Sequence, residues 1–283
     1  MNYTIAFKAF LRYNIISKKA SGTAHREEIK MKYGVADYGM LVWYGGFYDY
    51  EWRINAVKEL GFDGIERLYP TSAEQALRRA AYLKANGMSF ATCNVQGSPE
   101  LSIKWSAALG AEYVWAEVVG GRTFEDYMRQ VANHAKAAAK YGVKVAVHNH
   151  LGQPVEKQEN LERLLDECPE VNLLFDVGHL AVAGGDVEYI GNKYYDRIVA
   201  YHFKGWQTSD TPDHENWTRR GHFCGLGQGD FFVNNEAVFK NAVSRGFNGW
   251  MFIEHDTHLR DPLLDLKESY DIMKKWEREA LVK

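Results

Sequence analysis

From residue 33 onward one unit recurs along the chain: a charged amphipathic stretch, a glycine, then a short apolar run rich in Val, Ile, Phe and Tyr. Each unit reads as a helix, its C-terminal glycine and a strand. The glycines are Gly61 before Phe62-Asp-Gly-Ile-Glu66, Gly87 before Met88-Ser-Phe-Ala-Thr92, Gly110 before Ala111-Glu-Tyr-Val-Trp115, Gly142 before Val143-Lys-Val-Ala-Val147, and Gly246 before the run 247–253. Adding 33–40, 171–176 and 198–204 gives eight candidate strands, each followed by room for a helix. Strands that alternate with helices need crossover connections and therefore form a parallel sheet. Eight such units in about 250 residues fit an α/β fold of the (β/α)₈ TIM barrel type better than an open doubly wound sheet. The open sheet more often carries a glycine-rich nucleotide loop after its first strand, whereas Gly45-Gly46 is only a pair and no G-x-G-x-x-G or Walker pattern occurs.

Strand parity locates the chemistry. In 143–150 the valines at 143, 145 and 147 alternate with Ala146, His148 and His150, and a period of two puts the two sets on opposite faces. With the valines turned toward the helices, both histidines point into the barrel mouth. The same register sets Asp176 opposite Val171, Leu173 and Phe175, and sends His202, Lys204 and Glu254 inward. Four successive strands thus carry an ionisable side chain to their C-terminal ends, the catalytic face of this fold. Ionisable groups gathered in one mouth are costly unless they share a cation or a proton network. Imidazole nitrogens mixed with carboxylate oxygens suit a divalent ion such as Mn²⁺, Co²⁺, Zn²⁺ or Mg²⁺, and the lack of thiolates argues against a structural zinc.

Composition narrows the partners. Lys plus Arg number 34 against 37 Asp plus Glu, and a net charge of −3 gives no footprint for nucleic acid or an anionic membrane. A small-molecule substrate fits better, and a homo-oligomer is left open. Cys93, Cys168 and Cys224 are widely spaced without a C-x-x-C, which points away from a disulfide scaffold and toward a reducing, cytoplasmic compartment. No window approaches the roughly 18 consecutive apolar residues of a membrane span. In residues 1–30, Lys8, Arg12, Lys18 and Lys19 interrupt the apolar positions, which spoils an export signal. This stretch reads as an N-terminal extension, and a single barrel domain is expected over 31–283.

The stretch Leu174-Phe-Asp176-Val-Gly-His179-Leu-Ala-Val-Ala-Gly-Gly-Asp186, followed by Tyr194-Tyr-Asp-Arg197-Ile and His202-Phe-Lys204, resembles the sugar isomerase/epimerase superfamily with the xylose-isomerase-like barrel. Within it, His148-Asn-His150-Leu-Gly, the Asp176 segment and Gly225-Leu-Gly-Gln-Gly-Asp230 are most similar to the inosose (2-keto-myo-inositol) dehydratase branch. The resemblance covers nearly the whole chain from residue 33 and is densest over 143–256. It implies one divalent metal held by Glu, Asp, His and Glu on strands five to eight. Asp176, His202 and Glu254 fall on three of those places, and His148 stands where many members have Glu. Either His148 is the fourth ligand, or the metal has three protein ligands plus water. Lys204-Gly205-Trp206 departs from the Lys-Asp-Val more usual in the dehydratases, which implies an aromatic face of Trp206 at the pocket edge.

The chemistry so implied begins with a metal chelated by a carbonyl oxygen and the neighbouring hydroxyl of a keto-sugar or keto-cyclitol. Chelation acidifies the carbon-bound proton and stabilises the enediolate. His150 is the first choice of base. Lys204 or His179, the latter in the loop beyond strand six, is a candidate acid for expelling the β-hydroxyl in a hydro-lyase. Reprotonation instead would give an isomerase or epimerase, and elimination of an aglycone a 3-keto-glycoside lyase. A non-catalytic sugar-binding subunit is the remaining class. Lys204 has the competing reading of an ion pair with Glu254 or Asp176. Glu66, ending strand two, either contacts substrate or pairs locally. Trp43, with Tyr44 and Phe47, lines the pocket wall after strand one. His255, Asp256 and His258 read as second-rank or solvated groups. Because the repeating units begin only near Tyr33, deleting residues 1–30 is expected to leave folding and activity nearly unchanged. A fall in thermal midpoint comparable to losing a core element would contradict this.

Overall fold

The computed structural model describes residues 31–36, 49–118, 123–255 and 260–282. Eight parallel strands alternate with helices: β1 (Lys32–Val35), β2 (Gly64–Leu68), β3 (Ser89–Cys93), β4 (Tyr113–Trp115), β5 (Lys144–His148), β6 (Asn172–Asp176), β7 (Ile198–Phe203) and β10 (Trp250–Ile253). Between the last two, β8 (Gly205–Thr208) and β9 (Gly221–Cys224) form a separate antiparallel ribbon. The parallel strands pair in the order β3-β2-β1-β10-β7-β6-β5-β4. A hydrogen bond from the Glu112 N–H to the Ala91 carbonyl, 3.3 Å, spans the β3–β4 seam. The result is a nearly closed (β/α)₈ barrel.

The helices are α1 (Tyr50–Glu59), α2 (Ala73–Ala85), α3 (Pro99–Leu109), α4 (Phe124–Ala139), α5 (Gln158–Glu167), α6 (Val177–Val182), α7 (Val187–Lys193), α8 (Asn235–Ser244) and α9 (Pro262–Leu281). Ser72 and Thr123 cap α2 and α4 by accepting from backbone N–H groups of the first turn. The five glycines read as helix terminators all adopt left-handed backbone, with φ from 69° at Gly87 to 99° at Gly61. Among the described residues, no helix is long and apolar enough to cross a membrane.

Two apolar layers follow the strand parity. Val143, Val145, Val147, Leu173 and Phe175 pack outward in the cluster beneath the helices. Ala91, Tyr113, Ala146, Leu174, Ala200, Trp250 and Phe252 fill the lumen. Within it Trp250 and Phe252 stack at 5.2 Å with an interplanar angle of 7°. The strands facing them must therefore be small. A Cβ on Gly34 would run into the Phe252 ring, and one on Gly64 would lie 2.9 Å from Trp250 Cη2 and collide with the Ser89 carbonyl. This packed floor leaves only the C-terminal mouth open for polar groups.

One stretch differs from the sequence reading, and two others lie outside the described residues. Among the described residues β1 covers Lys32–Val35; residues 37–48, with the rest of the expected strand to Met40 and with Trp43, Tyr44 and Phe47, lie outside them. The segment 207–228, which holds none of the eight strands expected from the sequence, contains most of the β8–β9 ribbon. Its four-residue strands are too short for a period of two to register, since Trp206 and Phe223 are the large apolar residues and face each other in the pairing. Residues 1–30 also lie outside the described residues. Gly34→Ala and Gly64→Ala are each expected to destabilise the barrel by roughly 1–3 kcal/mol through overpacking, read as a lower urea midpoint at unchanged slope.

Candidate metal centre

β5, β6, β7 and β10 bring His148, Asp176, His202 and Glu254 together at the mouth, with one donor atom from each lying within 4.8 Å of the others. Asp176, the last residue of β6, also caps α6: its Oδ1 accepts the His179 N–H at 2.8 Å, which leaves Oδ2 to the cluster. His148 Nε2 lies 3.1 Å from Asp176 Oδ2. His202 Nδ1 lies 2.8 Å from Glu254 Oε2 and 3.5 Å from Asp176 Oδ2. Lys204, one residue past β7, sets its ammonium 2.8 Å from Asp176 Oδ2 and in close contact with Glu254 Oε2. Lys204, Asp176 and His202 are fully buried.

Two imidazoles and two carboxylates at this spacing fit a single divalent ion about 2.0–2.5 Å from each donor. The electrostatics favour ligand protonation states at His148, Asp176 and Glu254; at His202 burial would lower the pKa, but Glu66 and Glu254 outweigh it and hold it well above the ordinary histidine range. Burial would raise the Asp176 and Glu254 pKa values, but Lys204 outweighs it, helped by His202 at Glu254, and holds both well below the usual carboxylate range. Burial pushes His148 down to about 4 and lowers His150 and His179 as well, so all three imidazoles are neutral near pH 7.

Beside this cluster His150 and His179 stack with ring centroids 3.7 Å apart. Their tautomers are opposed. His150 Nδ1 lies 2.6 Å from the Leu151 carbonyl, which can only accept, so Nδ1 carries the proton and Nε2 keeps a lone pair. The Leu151 N–H donates to His179 Nδ1 at 3.1 Å, so the His179 proton sits on Nε2. That N–H has no hydrogen-bond partner among the described residues and lies 4.0 Å from Asp176 Oδ2.

Three sequence expectations need correction. His179 is not in a loop but in the first turn of α6 and is buried, because Asp176 starts that helix directly at the strand end. Trp206 is not at the pocket edge: β7 stops at Phe203, the chain turns into the ribbon, and Trp206 is 2% exposed, packed edge-on to Phe223 at 4.7 Å. Glu66 is buried in the middle of β2, which runs on to Leu68, rather than at its end, and lies 3.1 Å from His202 Nε2. His255 is buried against Ser269, with Nε2 3.2 Å from its Oγ, while Asp256 and His258 lie outside the described residues. Sequence reasoning missed Trp217, which lies edge-on to His150 at 5.4 Å and His179 at 5.7 Å, and Phe223, 4.3 Å from His179. It also missed Trp115, 4.6 Å from His148, although the alternation of Tyr113 and Trp115 on β4 is the same period-two signal that marked the histidines.

The family described as "Xylose isomerase-like TIM barrel" matches residues 54–276. The chain belongs to the xylose isomerase-like TIM barrel family. Among relatives of this family member, an inosose dehydratase of Lactiplantibacillus plantarum is 29% identical over 206 residues, 68% of this chain and 64% of that protein. An inosose dehydratase of Bacillus velezensis is 30% identical over 219 residues, 71% of this chain and 67% of that protein. The match thus spans about two thirds of the length of these relatives. The solved structure of the IOLI protein with a binding zinc atom superposes with a TM-score of 0.62 at 16% identity, covering 89% of this chain and 98% of that one, a likeness of fold. Asp176→Asn and Glu254→Gln are each expected to strip a bound divalent ion while leaving the circular dichroism spectrum unchanged. Metal content beside the spectrum checks this; full occupancy in both variants would contradict it.

Proposed function

We propose that this barrel is a metal-dependent enzyme acting on a keto-sugar or keto-cyclitol through an enediolate, as an inosose dehydratase-type hydro-lyase. The observation that carries the reading is the opposed pair of tautomers: a His150 lone pair and a His179 N–H stacked beside four converging metal-type donors. His148, Asp176, His202 and Glu254 would hold a divalent ion, which would supply Lewis-acid polarisation of a carbonyl and its neighbouring hydroxyl.

His150 Nε2 takes the proton from the carbon between them. The His179 Nε2–H donates to a ring hydroxyl and orients it. Lys204 is an ammonium against Asp176 and Glu254 and gives the departing β-hydroxyl its proton. The C–H proton thus passes to His150, a C=C bond forms, the β C–O bond breaks, and water leaves with the proton from Lys204. Trp217 and Trp115 offer flat apolar surface to the C–H face of a cyclic polyol. The relatives named inosose dehydratase support this substrate class. Reprotonation of the enediolate at carbon, as in an epimerase or isomerase, would use the same base but not the Lys204 proton. Three unpaired cysteines, two of them buried, favour a cytoplasmic setting.

The test is incubation with 2-keto-myo-inositol and Mn²⁺ or Co²⁺, following the absorbance of a conjugated diketone. Chelation is expected to abolish turnover and Mn²⁺ or Co²⁺ to restore it. His150→Ala should keep its metal and lose roughly 10² to 10⁴ in rate, together with solvent deuterium exchange at the carbon alpha to the carbonyl. Full activity in metal-stripped protein, or deuterium exchange at the wild-type rate in His150→Ala, would overturn the mechanism.

A further inference from the structure

A carboxylate buried with no solvent exposure on β2, a strand that supplies none of the four donors, calls for an explanation. Glu66 is walled in by Tyr113, Trp115, Arg67 and His202, which favours local pairing of the two sequence readings. Its partners converge on one atom. Oε1 accepts from the Tyr113 hydroxyl at 3.1 Å and from Trp115 Nε1–H at 3.0 Å, and lies 3.1 Å from His202 Nε2. Arg67 Nε lies 3.6 Å from the other oxygen. In the sheet β1 and β10 separate β2 from β7, so the contact between Glu66 and His202 is made through the lumen.

We propose that Glu66 is a positioning residue that fixes the tautomer and ring orientation of His202, so that its Nδ1 presents a lone pair to the divalent ion. An imidazole that binds a metal through Nδ1 keeps its one N–H on Nε2, and Glu66 is the carboxylate that faces that atom. That edge faces two of the other donors: Nδ1 is hydrogen-bonded to Glu254 Oε2 at 2.8 Å and lies 3.5 Å from Asp176 Oδ2, so an ion bound between them would take the place of a proton on Nδ1. Glu66 can act in this way because it cannot swing. The two donors from β4 hold Oε1 in place, so β2 and β4 act on the centre without touching the ion. This inference rests on the metal reading above but not on the identity of the substrate.

The experiment is Co²⁺ binding to the full chain, read both as a dissociation constant by competition with a chelating dye and as the visible d–d bands of the bound ion. Glu66→Ala is expected to weaken Co²⁺ binding by roughly 10- to 100-fold, the usual cost of losing such a partner, and to shift the bands. Glu66→Gln retains an acceptor oxygen without the charge, so its loss should be smaller. This variant, with Tyr113→Phe, serves if the alanine variant does not fold; Tyr113→Phe should shift the bands in the same direction with a lesser loss of affinity. Wild-type affinity and wild-type bands in Glu66→Gln and Tyr113→Phe would overturn the proposal. If the wild-type chain binds Co²⁺ with the expected dependence on Glu66 but leaves 2-keto-myo-inositol unchanged, the positioning role stands and the substrate reading falls. A wild-type chain that binds no Co²⁺ overturns both.

Discussion

Three carboxylates, Glu66, Asp176 and Glu254, are buried at the mouth of one barrel, and the mutual repulsion of their charges must be met by cations brought to the same place. Lys204 lies between Asp176 and Glu254, Arg67 lies beside Glu66, and His202 reaches from Glu254 to Glu66. Burial would lower the His202 pKa, but Glu66 and Glu254 outweigh it and raise it well above the ordinary histidine range. The cluster is thus a network of alternating charge in which each group is held by at least one of opposite sign. Such a network tolerates burial only when its geometry is fixed. The packed floor of Trp250 and Phe252 beneath it provides that rigidity.

Much of this was legible in the sequence because two short-range rules carry through the whole barrel. The helix, glycine, strand repeat marked the five left-handed turns, and the alternation Val143, Val145, Val147 against Ala146 and His148 divided the outer layer from the lumen. The same alternation turned Asp176, His202 and Glu254 inward. Both rules fail where the chain leaves regular structure. Trp206 follows Lys204 by two residues, and a continued strand would have pointed it inward; Gly205 instead begins the ribbon and sends it under Phe223. Trp217 comes from a 3₁₀ turn between β8 and β9, where no period exists to read, and reaches the site only through tertiary packing.

His179 illustrates a different limit. Its sequence position three residues after Asp176 is compatible with a loop or a helix, and the outcome depends on one capping bond from its own backbone to Asp176 Oδ1. The carboxylate therefore divides its two oxygens between architecture and chemistry. Glu66 shows the converse. A reading along β2 alone could find the residue but not its role, because its partners come from β4 and β7.

The opposed protonation of His150 and His179 traces to a single peptide unit. The Leu151 carbonyl takes the His150 proton and the Leu151 N–H feeds His179, so the side chain at position 151 has no part in the assignment. Which ring gives and which takes is encoded in the path of the main chain. That path turns at once through Gly152, whose φ is +78° and whose missing Cβ leaves room for Trp217. Drift in the side chain at 151 leaves the polarity of the pair intact, whereas inserting or deleting one residue in this turn removes the polarity from both rings together.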